Sequence, residues 1–405
     1  MFYKYLFIYV WITLFFYHVH GQGYWTQKAD LPSTGRTTAY FFSIGNHGYI
    51  GFGYDTTGSM KKDLWEWDQW SNTWTQKSSL PGLPRRAGAS FSIGYKGYIC
   101  CGTDSTNNLT QEVWEWDQTT NTWTQKSNFP GPCRNLTVGF SIGSKGYLGT
   151  GAGCGGNQKD FWEYNPVTDT WTQKADFEGP ARYDAQGFSI GTKGYIGGGI
   201  SDVAPFWCND FWEYDPATDF WTQKANLPEY RCNGIGFSIG DIGYFCTGVN
   251  DISQLNDLIE WDQSKNLWTH KASLPANVRQ TPIGFSIGNM GYVGMGVSAQ
   301  TLLNDFWEYN PVVIGINEIK DKSAISVYPN PAENNINVEL NGLNGELCKF
   351  VIRNILGTTL IEKGIKADGT TLNIDISKLS NGLYLYEVMN AMSEKIKSAR
   401  LVISK

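Results

Sequence analysis

Histidine is scarce in this chain, four in 405 residues, and two of the four fall within the first twenty. That leaves His47 and His270 for any imidazole chemistry in the remainder. No CxxC and no Cys/His pair at ligand spacing occurs, so neither a metal site nor a cofactor is implied. Charged residues amount to only 17%, which is low for a solvated helical protein. With 38 acidic against 32 basic residues the net charge is -6, and no broad basic surface is on offer to nucleic acid. The longest apolar run, Tyr5 to Tyr17, is too short to span a bilayer of ~30 Å, and no other segment approaches the required length. Low-complexity tracts and charge runs are missing too.

What is present in quantity is aromatic and small: 17 Trp, 22 Tyr, 21 Phe and 46 Gly, and they recur with a period of about 49 residues. The Trp opening each WTQK or WTHK segment falls at Trp25, Trp74, Trp123, Trp171, Trp221 and Trp268. The Ser of each FSIG falls at Ser43, Ser92, Ser141, Ser189, Ser238 and Ser286. A period of this length with Gly and aromatic markers predicts the blades of a propeller.

Each unit reads as four short strands. FSIG ends the first, a G-x-x-G turn such as Gly45 to Gly48 reverses the chain, and GYIG or GYVG starts the second. After a polar loop comes WEW or WEY, whose alternation puts aromatics on one face and Glu on the other. The last strand is WTQK. The ends of the repeat region are out of phase: Trp25 opens the series with no unit before it, and the sixth WEY, Trp307 to Tyr309, is followed by VVIGIN. The first WTQK is therefore expected to complete the last blade, which removes the exposed sheet edges.

These units resemble the kelch family over about residues 22 to 312. Kelch units carry a glycine pair ending the second strand, then a Tyr, then a Trp about seven residues on. Tyr164 with Trp171, Tyr214 with Trp221, and Gly197-Gly198-Gly199 keep that pattern. Cys100-Cys101, Gly149-Thr150, Cys246-Thr247 and Gly294-Met295 depart from the glycine pair, and Trp67, Trp116 and Trp261 replace the Tyr. The expected fold is all-β, a six-bladed propeller followed by a small β-sandwich.

At the N-terminus, Lys4, the apolar run and the small residues Val19 and Gly21 before Gln22 read as a secretory signal peptide over residues 1–21. After Pro311 Trp disappears, and Asn, Ile, Lys and Leu take over. Residues 313–324 read as a linker and 325–405 as a second domain. Strands are expected at Ile336 to Leu340, Leu347 to Arg353, Leu372 to Ile376, Leu383 to Val388 and Leu401 to Ile403. Tyr328-Pro329-Asn330-Pro331, Asn354 with Gly357, Asp375-Ile376-Ser377, Leu379, Gly382 and Tyr384 resemble the type A C-terminal sorting domain of the type IX secretion system. That resemblance implies an address read by an outer-membrane translocon and handled by a sortase-like peptidase. It places the protein in the secreted or surface-displayed class, exported through the periplasm and outer membrane.

Eight cysteines in an exported chain permit disulfides. Cys133, Cys154, Cys208 and Cys232 fall in or beside loops that strand parity puts on one face of the disk, which makes Cys133 with Cys154 and Cys208 with Cys232 plausible pairs. Cys100, Cys101 and Cys246 read as small buried thiols and Cys348 as core.

Seven residues before each FSIG serine stands an arginine: Arg36, Arg85, Arg134, Arg182, Arg231 and Arg279. They are expected to ring one mouth of the central channel. Either they pair with Asp63, Glu112, Asp160, Asp210, Asp257 and Asp305, or they form a funnel for an acidic sugar, carboxylate or phosphate. The next position varies in every unit, through Thr37, Arg86, Asn135, Tyr183, Cys232 and Gln280, as a binding rim on a fixed scaffold does. Trp207, in the long loop of the fourth unit, has no counterpart and is placed either to stack on a sugar or protein or to plug the disk.

Galactose-oxidase-like members of the family need two His, two Tyr and a Cys around copper, and His47 in a turn and His270 on an outer strand cannot converge. No catalytic residue is assigned. The expectation is a binding protein for a glycan or protein; a sugar mutarotase or epimerase of the sialic-acid type, or a structural surface-layer component, are the alternatives.

Overall fold

The computed structural model describes residues 22–311, 325–340, 347–354, 358–366, 371–389 and 395–405. The signal segment 1–21, the linker 313–324 and Gly357 lie outside the described residues. Among the described residues there is no helix, and two compact units are formed, divided between Val313 and Ile314.

The first unit holds six four-stranded antiparallel sheets, one for each repeat. In the first, Tyr40–Ile44, His47–Gly51, Leu64–Asp68 and Thr73–Lys77 pair in chain order. The FSIG strands are innermost, and each neighbours the next around a closed ring: Tyr40–Ile44 touches both Ala89–Ile93 of the second sheet and Ile283–Ile287 of the sixth. Six sheets arranged radially in this way define a β-propeller. The sixth is completed by Tyr24–Gln27, which pairs antiparallel with Phe306–Asn310, Trp25 opposite Tyr309.

Two of the repeated motifs explain each other. A Cβ on Gly97 would lie 2.1 Å from the Phe42 ring of the preceding sheet, and one on Gly48 2.1 Å from Phe285. The glycine of GYIG is thus a socket for the phenylalanine of the neighbouring FSIG, and the relation closes the ring. Inside each sheet the GYIG tyrosine donates to the WEW or WEY glutamate, as Tyr98 to Glu115 at 2.7 Å and Tyr195 to Glu213 at 2.7 Å. The lysine of WTQK reaches that same glutamate in most sheets, for example Lys77 to Glu66 at 2.9 Å. The WTQK tryptophans give their indole N–H to a backbone carbonyl of the preceding sheet, Trp74 to Ala29 at 2.8 Å and Trp268 to Ala225 at 2.9 Å. Trp171 departs, its buried Nε1 being without a partner.

The left-handed pair that ends each second strand sits one residue later than the sequence pattern suggests. It is Phe52-Gly53, Cys101-Gly102, Thr150-Gly151, Gly198-Gly199, Thr247-Gly248 and Met295-Gly296. The second member is glycine every time because its φ is strongly positive and a Cβ would strike a carbonyl of its own blade, as at Gly102, 2.5 Å from Arg86 O; its amide donates to the arginine carbonyl of the next blade, Gly102 N to Arg134 O at 2.9 Å. The first is left-handed even as Phe, Cys, Thr or Met, which the surrounding ring over-determines.

The second unit has a three-stranded sheet, Ile325–Tyr328, Asn335–Leu340 and Thr371–Asp375, and a four-stranded one, Leu347–Asn354, Thr359–Lys366, Gly382–Met389 and Lys395–Ile403. Ile336, Val338 and Ile374 from one meet Phe350, Ile352 and Val388 from the other in a single core. Ile325–Tyr328 and Thr359–Lys366 were not expected as strands; the latter is exposed along most of its length and lacks an alternating apolar pattern. Asn330 holds the C-terminal strand from its side, accepting from Val402 N and donating to Arg400 O, each at 2.8 Å.

Candidate functional site

One face of the propeller carries the loops that lead into each inner strand and the loops between second and third strands. The six arginines lie beneath this face and none is more than 1% exposed. Arg134 grips Asp160 through two 2.6 Å contacts and also donates to Thr150 O at 3.0 Å. Arg182 does the same with Asp210, at 2.6 and 2.7 Å, and with Gly198 O. Arg36, Arg231 and Arg279 repeat the bidentate arrangement with Asp63, Asp257 and Asp305. Arg85 meets Glu112 through one nitrogen at 2.5 Å. In five blades the same carboxylate accepts a tryptophan N–H, as Asp160 does from Trp162 at 2.7 Å; Ile259 stands at that place in the fifth blade. Burial alone would raise the Asp63 and Glu112 carboxyls, but the arginine hydrogen bonds outweigh it and hold both below the usual carboxylate range.

The anion funnel is therefore corrected. Five of the six guanidinium forks are filled by a carboxylate, and Arg85, held through one nitrogen, is as deeply buried as the rest, so none is open to a ligand. The arginines clip two loops of their own blade together through side chains, while their backbone carbonyls bind the blade before.

Above them the residue two after each arginine is left-handed: Thr38, Ala87, Leu136, Asp184, Asn233 and Thr281, with φ between 51 and 60°. Their backbones bond from blade to blade, Ala87 N to Thr38 O at 2.9 Å, Leu136 N to Ala87 O at 2.6 Å, and onward to Thr281 N and Asn233 O at 2.7 Å. The hydroxyls of Thr37 and Thr281 meet where the girdle closes. These residues and the inner strands surround an axial cavity of about 130 Å³. Phe41 stands in the first blade where the others have Ser or Gly, and it packs onto the apolar clusters around Ile235 and Ile283, narrowing the channel from one side. Asp184 is the one acid lining this cavity; burial pushes its carboxyl up to about 7, against a smaller lowering by Asn233.

Thr37, Arg86, Asn135, Tyr183 and Gln280 are partly exposed around the mouth, whereas Cys232 is fully buried and drops out of the rim. Asn135 donates to Thr103 of the blade before at 2.9 Å. Trp207 is partly buried, bridges to Ile200 and does not line the axial cavity, so it is no plug. Cys133 and Cys154 are joined in a disulfide. Cys208 and Cys232, the other expected pair, are free buried thiols, as are Cys100, Cys101 and Cys246, while Cys348 is buried in the core of the second unit. His47 lies 3.1 Å from Asp68 on the turn side. Among the described residues no cluster of His, Cys, Asp and Glu is arranged to hold a metal, and no helix is long and apolar enough to cross a membrane.

Comparison with known proteins agrees with this architecture. Residues 35–227 match the KLHDC2/KLHL20/DRC7 Kelch-repeats domain, and residues 326–404 match the secretion system C-terminal sorting domain. The solved structure of YjhT superposes with a TM-score of 0.61 at 16% identity, covering 69% of this chain and 95% of that one, a likeness of fold alone. Among curated proteins none matches. The chain is a kelch-repeat propeller protein with a type IX secretion sorting tail, and that tail marks it for export to the cell surface or the extracellular space.

Proposed function

We propose that this exported propeller binds a glycan or a protein through the face just described. The observation that carries the reading is the contrast between two adjacent rings: six buried arginines doing one structural job, and directly after them Thr37, Arg86, Asn135, Tyr183 and Gln280, different in each blade and partly exposed. Residues 1–21 act as the signal peptide and 313–324 as a tether, and the tail engages an outer-membrane translocon and a sortase-like peptidase. A glycan array probed with the mature full-length protein, beside a variant carrying Asn135→Ala, Tyr183→Ala and Gln280→Ala, tests the site. The reading expects binding that the variant loses. A silent array returns the protein to the surface-layer role, and equal binding by the variant moves the site elsewhere.

Asp184 favours a second reading. A carboxyl titrating near neutrality in a cavity is suited to carrying a proton, as a mutarotase of the sialic-acid type requires. Anomer exchange followed by NMR, with and without Asp184→Asn, decides it.

A further inference from the structure

Of the seven arginines in the propeller, Arg86 alone has no carboxylate partner among the described residues. Its neighbour Arg85 is 1% exposed and bound to Glu112, so adjacent residues on one two-residue strand play opposite parts. The Arg86 guanidinium lies over the Tyr54 ring, its Cζ 5.5 Å from the ring centroid. Its Nε is enclosed with no hydrogen-bond partner, and among the described residues its two terminal nitrogens form no hydrogen bond. Tyr54 in turn is 36% exposed and walls a cleft between the first and second blades, together with Gly58, Ser59, Met60, Ser105 and Asn107; Arg86 reaches this cleft only through the ring it lies on.

An arginine laid on an aromatic ring has its plane fixed in advance, so little side-chain entropy remains to be lost when its fork meets an oxyanion. Hydroxyl and amide groups along the cleft complement the hydroxyls of a sugar rather than an apolar side chain. The tail sends the protein to the cell surface or beyond, where polysaccharide is within reach.

We infer that Arg86, held on the Tyr54 ring beside this cleft, binds the anionic group of an acidic polysaccharide, a uronate carboxylate or a sulfate ester, while the cleft takes the neighbouring sugar. This rests on the proposed ligand face and adds to it the ligand's charge and the blade pair that reads it. The ring arginines contribute nothing directly, and recognition is off the axis, between two blades.

Affinity electrophoresis of the mature full-length protein through gels containing polygalacturonate, dextran sulfate or plain dextran tests this, using wild type, Arg86→Gln and Arg86→Lys. Retardation by one or both acidic polymers and not by dextran is expected, and which of the two retards identifies the anion. Arg86→Gln should raise the apparent Kd roughly ten- to a hundredfold, since hydrogen bonds to a charged group are lost. Arg86→Lys, a point charge without the fork, should fall between. Arg86→Gln retarded like wild type, or dextran as effective as the acidic polymers, would overturn the inference. Binding of a neutral glycan that survives Arg86→Gln but not the Asn135/Tyr183/Gln280 variant overturns it while leaving the face reading in place.

Discussion

Trp25 gives its indole N–H to the carbonyl of Ala272, 2.7 Å away and 247 positions along the chain. Trp74 and Trp268 make the same bond to the blade before them, so Trp25 occupies an ordinary place in the ring although it comes first in sequence. Lys28 N to Phe306 O at 2.8 Å and Leu31 N to Asn304 O at 3.0 Å extend the join.

Closure should be costly to undo. Trp25→Ala is expected to lower stability by about 2 to 4 kcal/mol. Deleting Gln22 to Leu31 exposes the Phe306–Asn310 strand as a sheet edge and should add aggregation on a sizing column. Thermal melts check it: removal of Ile325 to Lys405 should shift the propeller's transition far less than either change.

Asp184 sets a pH dependence of definite sign. Its carboxyl titrates near 7 in the fold against an unperturbed 3.8, because burial disfavours the charged form. An acid raised on folding contributes its full stability below its unfolded pKa, and loses it as pH climbs towards the folded value. Wild type should therefore lose stability relative to Asp184→Asn between about pH 4 and 7, and run parallel to it above. Asn tolerates the left-handed backbone of this position, so the comparison isolates the charge. Parallel curves throughout would place Asp184 in contact with water.

With one disulfide, between Cys133 and Cys154, the mature chain should yield six titratable thiols once denatured without reductant. In the native state those six should react slowly, all being buried. A count of four would mean that Cys208 and Cys232 are also joined.

Much of this was legible because the propeller repeats itself. The phase of FSIG and WTQK gives the four strands, their order and the join at Trp25, since a period of two within each strand and 49 between them leaves one arrangement. The site was legible only in outline. Seven residues before each serine marks an arginine, but burial depends on where Asp63 and its counterparts sit, and these lie about 26 residues away across a loop. Phe41 breaks the repeat in one blade, whereas Arg86 and Asp184 stand at positions that vary from blade to blade, where the period gives no guide. The doubled Arg85-Arg86 did signal a departure, yet the opposite fates of the two side chains follow from strand alternation against neighbouring loops. Cys208 and Cys232 show the limit of strand parity: it put both on one face and left open whether their sulfurs meet.

The claim at the centre is that recognition sits on a rim above a scaffold of buried ion pairs, and melts of Arg134→Ala and Arg86→Ala, with binding to an acidic polysaccharide measured on the same samples, test it most directly. Arg134→Ala removes both guanidinium bonds from Asp160, leaving it only the Trp162 N–H, strips Thr150 O of its donor and should cost about 3 kcal/mol, with affinity intact in whatever remains folded. Arg86→Ala should melt within about 0.5 kcal/mol of wild type and lose the ligand. The reverse pattern, a stable Arg134→Ala that no longer binds beside an Arg86→Ala that binds normally, would contradict the account.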